Sequence, residues 1–434
     1  MKLRKVEKID LTKFEQFISI IEQVRDHNCE ARAETMFYDL MIKLFRDVLS
    51  AVREGRPFIT NTMSFPTEIY AAMGITGLEI DMATPFLDVF LDCESEIFEA
   101  AAGLGVRTEI CSPQRAPIGW MAKGWYPRPT AVMHTSMDQC DNLSQTGNIL
   151  GALYDVPVFC VNRPYRFWDQ KGVDLMTGEL QDAVAFLEEK TGYKMDWDKL
   201  EEAARLTLKM MEISVEISKL SLTARPCPVK AGTGFFIHWI RMAYAGRQEG
   251  VDYCQAFLDE MKEHVAQGKG YAPQEKYRLI NLFTFPMGQH ELIHWMEKEV
   301  GAVFVAEPMY HHYNEAELAK VDPSKPLEAL ARYYYLEPYQ QFYGPLAEFS
   351  DMIVNDAIDG GVDGAINFFN IKCRMGGAAA RAIKDQLKEK AGIPTLTMGA
   401  DMMDLSPATG ADLKKLLEQF FLILDTAKKK TAAA

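Results

Sequence analysis

GAINFFNIKCRMGGAAARAIKDQLKEKAGIPTLTMG, residues 364–399, runs from an apolar stretch through a cysteine into an amphipathic stretch, and ends in a second apolar run. GAINFFN reads as a strand, and GGAAARAIKDQLKEKAG, at 376–392, repeats apolar residues at helical spacing. Gly392-Ile393-Pro394 stops the helix and starts the next strand, PTLTMG. Strand, helix and strand in this order make a crossover unit with parallel strands. Working outward, RLINLFTF (278–285) and AVFVAE (302–307) read as further strands, with HELIHWMEKEVG (290–301) as the helix between them. The segment 271–434 is therefore expected to be one α/β domain. The alternation recurs upstream, where FIT (58–60), AVMHTS (131–136) and VPVFCV (156–161) read as strands and GELQDAVAFLEEKTG (178–192) as a helix. That gives a first α/β domain over 56–195. Residues 1–55 are expected to be a helical segment, ended by Gly55 and Pro57. Residues 196–270 are read as a helical connector broken at ARPCPVKAG (224–232). The expected fold class is α/β, with two parallel-sheet halves.

The chain has 434 residues, 48% of them apolar, enough for two or three domains with sizeable cores. Its formal net charge of −14 argues against nucleic acid and against an anionic membrane surface as partners. No apolar run reaches the length of a membrane span, and the basic start lacks the apolar stretch of a secretory signal. A cytoplasmic location is expected. The eight cysteines are dispersed, unlike those of a small disulfide scaffold, so buried thiols, metal ligands or nucleophiles are the readings to weigh.

Three cysteines stand out by position. Cys140 follows AVMHTSMDQ, Cys373 follows AINFFNIK, and Cys111 follows GVRTEI, each read as lying just after a strand-like run. Ligands of open α/β sheets sit beyond the strand C-termini, so loops at such ends can bring distant residues to one place. The helix that starts after Cys373 favours a thiolate there. The spacing includes no CxxC, and ordinary buried thiols remain the alternative.

Six elements, Ser64–Glu68, Cys111–Gly119, Cys140-Asp141, Gln274–Leu279, Asn370–Cys373 and Gly392–Pro394 with Asp401, are dispersed over nearly the whole chain from about residue 55, and they resemble those of the 2-hydroxyacyl-CoA dehydratase and benzoyl-CoA reductase family. Cys111-Ser112-Pro113-Gln114-Arg115-Ala116-Pro117-Ile118-Gly119 resembles its C-S-x-x-R-A-x-x-G element. Cys140-Asp141 and Asn370-Ile371-Lys372-Cys373 are similar to its second and third cysteine elements. Ser64-Phe65-Pro66-Thr67-Glu68 is similar to its P-x-E element, and Gln274-Glu275-Lys276-Tyr277-Arg278-Leu279 to its E-K-x-R element. Gly392-Ile393-Pro394 with Asp401 resembles its G-I-P…D ending. The length fits the larger of the family's two subunit types.

The resemblance implies two Rossmann-like halves and a heterodimer with a related smaller subunit. It implies a [4Fe-4S] cluster held by Cys111, Cys140 and Cys373, one ligand short of the usual four, which leaves one iron open. It also implies a separate ATP-dependent iron–sulfur activator protein that supplies one low-potential electron. A CoA thioester would become a ketyl radical, expel its 2-hydroxyl and leave as a 2-enoyl-CoA, with Glu68 as acid/base and Ser64 as hydrogen-bond donor. Three alternatives share the chemistry: a benzoyl-CoA-type ATP-dependent reductase, a double-cubane cluster reductase drawing on Cys29, Cys93, Cys160, Cys227 or Cys254, and a non-catalytic subunit that relays electrons. Of those five cysteines, read otherwise as buried thiols, Cys160 is the readiest spare ligand.

Other residues have a structural alternative beside the functional one. Glu68 and Ser64 equally suit a helix start. Arg115, Arg163 and Arg166 suit CoA phosphates or an ordinary surface. Ser136 suits a pocket lining or a local turn. Tyr333-Tyr334-Tyr335 suits a subunit contact, a pocket wall or core packing. His290-Glu291-Leu292-Ile293-His294 matches H-E-x-x-H, which on a helix would set two imidazoles one turn apart for zinc, with His311, His312, Glu315 or Glu317 downstream. That zinc hydrolase reading competes with a plain crossover helix in which His290 faces the strand-end crevice.

Overall fold

The structure, a computed structural model, describes residues 5–29, 31–63, 65–136, 140–163, 169–311, 313–338, 341, 346–403 and 406–433. The chain forms two compact units. The first comprises Met1–Ser214, Phe236–Glu260 and Tyr313–Gly344, and the second Val215–Phe235, Met261–His312 and Pro345–Ala434. Residues 196–270 are divided between the two units.

Each unit contains a four-stranded parallel sheet. In the first unit β1 (Phe58–Asn61), β2 (Thr76–Glu79), β3 (Ala131–Thr135) and β4 (Val158–Val161) lie in the order β2-β1-β3-β4. In the second, β5 (Tyr277–Asn281), β6 (Ala302–Ala306), β7 (Gly364–Asn370) and β8 (Thr395–Ala400) lie in the order β6-β5-β7-β8. The two halves share one strand order, and each is a parallel sheet, as expected of the α/β fold class. Strand direction is parallel in every pairing. Every residue of β1, β3, β5 and β6 is buried, which explains why these strands read as continuous runs rather than as alternating ones.

The order of each sheet reverses between its first and third strands, between β1 and β3 and again between β5 and β7. Such a reversal opens a crevice beyond the strand C-termini. The second unit's core joins Tyr277, Leu279, Ile366 and Phe368 of the sheet to Leu292, Ile293 and Met296 on one side of the chain order and Leu417, Phe420 and Leu424 of the C-terminal helix on the other. In the first unit the Thr12–Asn28 and Arg32–Arg53 helices meet through Phe14, Phe17 and Phe45, with ring centroids 4.8 Å apart in both pairs.

Two local expectations change. Thr76-Gly77-Leu78-Glu79 is a strand that the sequence reading missed. The stretch before Cys111 is no strand: residues 108–110 form turns and a bend, and Arg107, Thr108 and Glu109 are exposed, so the segment has no face to bury in a sheet. The His290–Trp295 helix, extended by a π turn over Met296–Val300, links β5 to its parallel neighbour β6, so it is a crossover helix as read.

Candidate functional site

The three cysteines share a local setting. Cys140 is the N-cap of the Asp141–Tyr154 helix, five residues beyond the end of β3. Cys373 is the N-cap of the Arg374–Ala391 helix, three residues beyond the end of β7. Because β3 and β7 hold equivalent places in the two sheets, these two cysteines occupy equivalent positions in the two halves. Cys111 is the N-cap of the Ser112–Lys123 helix, reached from a turn instead of a strand. A helix N-terminus carries partial positive charge and favours a thiolate. At Cys373 this is explicit, since the Gly376 N–H donates to its Sγ at 3.3 Å.

All three are half-buried, and no cysteine of the chain is in a disulfide. Cys93, Cys227 and Cys254 are buried as expected, and burial pushes the thiols of Cys227 and Cys254 up to about 11 and about 12. Cys29 and Cys160, read as buried, are instead half-buried, Cys160 because it lies on the edge strand β4. Cys111 and Cys140 belong to the first unit and Cys373 to the second. Among the described residues no three or more His, Cys, Asp or Glu side chains are gathered around a metal position within reach of all. In donor chemistry the three fit an iron–sulfur cluster: each is a reduced thiol, partly open, at a helix N-terminus.

Beyond β3 and β4 the structure brings Ser136 and Arg163 together. The Arg163 N–H donates to Ser136 Oγ at 2.9 Å, and the Ser136 N–H to the Val161 carbonyl at 2.9 Å. The Arg163 guanidinium is buried over the rings of Tyr334 and Tyr335, 5.4 Å from each centroid. Arg115 is also buried, its guanidinium 4.2 Å above the Phe98 ring. Neither is a surface arginine. Gln114, next to Arg115, donates to Asp81 at 3.2 Å, and burial raises Asp81 to about 7. His290, Glu291 and His294 are all exposed, while Leu292 and Ile293 between them enter the core. Ser64, Arg166, His312 and the side chains of Asp141 and His311 lie outside the described residues.

Glu68 opens the short Glu68–Met73 helix that follows β1, and it is buried. It lines a pocket of about 430 Å³, open at its mouth and contained in the first unit. Phe65, Met211, Met242, Leu330, Tyr333 and Tyr334 form the apolar wall. Thr207 Oγ1 donates to Glu68 Oε1 at 2.9 Å. Burial raises the pKa of Glu68, against the smaller opposing effects of its hydrogen bonds and of Arg241. Arg241 pairs with Glu337 and lies 3.1 Å from His238 Nδ1, all three buried. Burial also keeps His238 neutral, well below its ordinary value. Glu337, His238, Arg241 and Thr207 were missed in the sequence. Their signal was a histidine and an arginine three residues apart inside the otherwise apolar helix Thr233–Tyr244.

A family profile described as 2-hydroxyglutaryl-CoA dehydratase, D-component, matches residues 62–424. The chain is 23% identical over 395 residues to the (R)-phenyllactyl-CoA dehydratase alpha subunit of Clostridium sporogenes, covering 86% of this chain and 91% of that one. It is 19% identical over 410 residues to the (R)-2-hydroxyisocaproyl-CoA dehydratase alpha subunit of Clostridioides difficile, covering 92% and 97%. It is also 24% identical over 353 residues to a benzoyl-CoA reductase subunit of Thauera aromatica, covering 76% and 80%.

Proposed function

Because the chain belongs to the 2-hydroxyglutaryl-CoA dehydratase D-component family, we propose that it is the iron–sulfur alpha-type subunit of a hydro-lyase that removes water from a 2-hydroxyacyl-CoA to give a 2-enoyl-CoA. The observation that carries this reading is the common setting of Cys111, Cys140 and Cys373, each half-buried at a helix N-terminus. These three residues would hold a [4Fe-4S] cluster. When bound, such a cluster supplies one-electron chemistry, and with three protein ligands it leaves an iron open to a substrate oxygen. That suits a ketyl-radical route, which makes the β-proton acidic and lets hydroxide leave from the carbon next to the thioester. A related smaller subunit and an ATP-dependent activator complete the proposed system.

The chain's own residues provide the setting. The three helix N-termini would favour thiolate charge that burial alone would oppose. Glu68, whose carboxyl binds a proton more readily than a surface glutamate, is suited to protonate a departing hydroxyl. Ser136 is held by its neighbours on β4, and Arg163 by the tyrosine pair, as rigid lining for a thioester.

Anaerobic purification with iron and acid-labile sulfide analysis tests the proposal. About four irons per chain are expected, lost in Cys111→Ala, Cys140→Ala and Cys373→Ala and kept in Cys29→Ala. Full iron in any of the first three variants refutes the ligand assignment. About eight irons would instead indicate the double-cubane form. Zinc without iron would restore the hydrolase reading of His290, Glu291 and His294, which their exposure disfavours. The second reading, a benzoyl-CoA-type reductase, is favoured by the similarity to the Thauera protein. Product analysis separates the two, because the dehydratase returns its electron and the reductase consumes electrons in step with product.

A further inference from the structure

The pocket beside Glu68 contains donors with nothing to donate to. Arg241 is only 2% exposed, and its Nε and Nη1 have no hydrogen-bond partner. Its Nη2 is engaged by Glu337 and His238. The neighbouring hydroxyls are spoken for. Thr67 donates to the Met242 carbonyl at 2.9 Å, Thr207 to Glu68 at 2.9 Å, and Tyr333 to the Ala204 carbonyl at 2.8 Å. A buried donor left without an acceptor is destabilising. The chain carries that penalty twice on one guanidinium, on a residue that lines the pocket. Both atoms are closed to solvent as well, so a purely hydrocarbon ligand would leave them unmatched.

The charges limit what the acceptor can be. Among the described residues the lining has one cation, Arg241, and two carboxyl groups, Glu68 and Glu337. Arg241 is already neutralised by Glu337. A ligand carboxylate would meet the Glu337 carboxylate already paired with that guanidinium, in surroundings where charge is poorly screened. A carbonyl or hydroxyl oxygen accepts the same N–H groups without that repulsion.

We infer that Arg241 is a specificity-determining residue, and that the pocket receives an acyl group bearing a neutral oxygen acceptor distant from the thioester. This rests on the CoA-thioester reading above. The affinity ratio to expect is at least about tenfold in favour of the oxygenated acyl group, since one net buried hydrogen bond to a charged donor has that effect.

The test measures dissociation constants of three non-reacting thioesters of similar shape, pentanoyl-CoA, 4-oxopentanoyl-CoA and glutaryl-CoA, for the full chain purified anaerobically with whatever subunit accompanies it. The ketone should bind most tightly, by about tenfold over pentanoyl-CoA, with glutaryl-CoA weaker than the ketone. Arg241→Met should bring pentanoyl-CoA and the ketone within about twofold of each other. Because that variant strands Glu337, the pair Arg241→Met/Glu337→Gln is measured beside it and should behave alike. Equal binding of ketone and hydrocarbon by the natural chain overturns the inference, as it would if ordered water saturates Arg241. So does a ketone preference that survives in both variants, or glutaryl-CoA binding best. If none of the three thioesters binds, the CoA-thioester reading itself falls. If all bind alike, only the role of Arg241 does.

Discussion

Arg278 shows how a family-like motif can be structural. It sits in the stretch Glu275-Lys276-Tyr277-Arg278 and is 3% exposed. Its guanidinium donates to the carbonyls of Gly360 at 2.9 Å, Ala224 at 3.1 Å and Leu222 at 2.8 Å, and to the Glu275 carboxylate at 2.6 Å. One side chain thereby satisfies three backbone carbonyls from two separate segments of the second unit. Arg278→Met should lower stability by about 3 kcal/mol, since it strands three carbonyls and takes one partner from the half-buried Glu275 carboxylate. A denaturant melt checks this, and a loss below about 1 kcal/mol would show that the network is not structural. The residue types were legible in the sequence, but not the partners, because they lie far along the chain and only the fold brings them to β5. The same holds for Arg241, whose apolar helix hides a charge that makes sense only beside Glu337.

At the scale of elements, Gly119 explains part of the Cys111 motif. It lies in the Ser112–Lys123 helix, where a Cβ would stand 2.2 Å from the Ile97 carbonyl oxygen of the Glu94–Gly103 helix. Two backbones approach closely at this point, and no rotamer change can make room. Gly119→Ala should therefore force the helices apart, at a cost of about 1–3 kcal/mol, and shift the N-terminus at which Cys111 sits. A melt and an iron assay together check it: unchanged stability removes the packing argument, and lost stability with full iron shows that Cys111 tolerates the shift. Elements were legible where burial is two-sided. Buried parallel strands such as β3 and β6 read as apolar runs, whereas Thr76-Gly77-Leu78-Glu79 did not, since Leu78 is its one large apolar residue. Residues 105–110 misled in the opposite sense, because valine and isoleucine at their ends suggested a strand while the polar residues between them face solvent.

At the scale of the molecule, the repeated strand order puts Cys140 and Cys373 in corresponding places, a relation the sequence could suggest but not establish, since it reports runs and not pairings. Both units also bury carboxyl groups without enough positive charge beside them, and this gives the whole chain a pH signature. Burial raises Asp81, Asp88 and Glu307 to about 7 and Glu297 to about 8. Unfolded, all four ionise near pH 4. Their folded values are raised, so the stability they permit is complete below about pH 4 and is lost as pH rises through 7 to 8. The depressed His134 and His238 act in the opposite direction, but only below their ordinary value of about 6.5. Exposed carboxylates with lowered values, such as Asp10 and Asp425, act at still lower pH. Between pH 6.5 and 8.5 the buried acids therefore set the sign, and the urea midpoint should fall as pH rises. Each acid that remains protonated in the folded state adds a slope of up to about 1.4 kcal/mol per pH unit. Asp88→Asn isolates one contribution, because its side-chain oxygen can still accept the Trp120 indole N–H that Asp88 accepts at 2.6 Å. Its midpoint should fall less steeply over the same interval than that of the natural chain. A natural-chain midpoint that holds steady or rises from pH 6.5 to 8.5 would mean that these carboxyls are ionised in the folded state, with partners that compensate their burial.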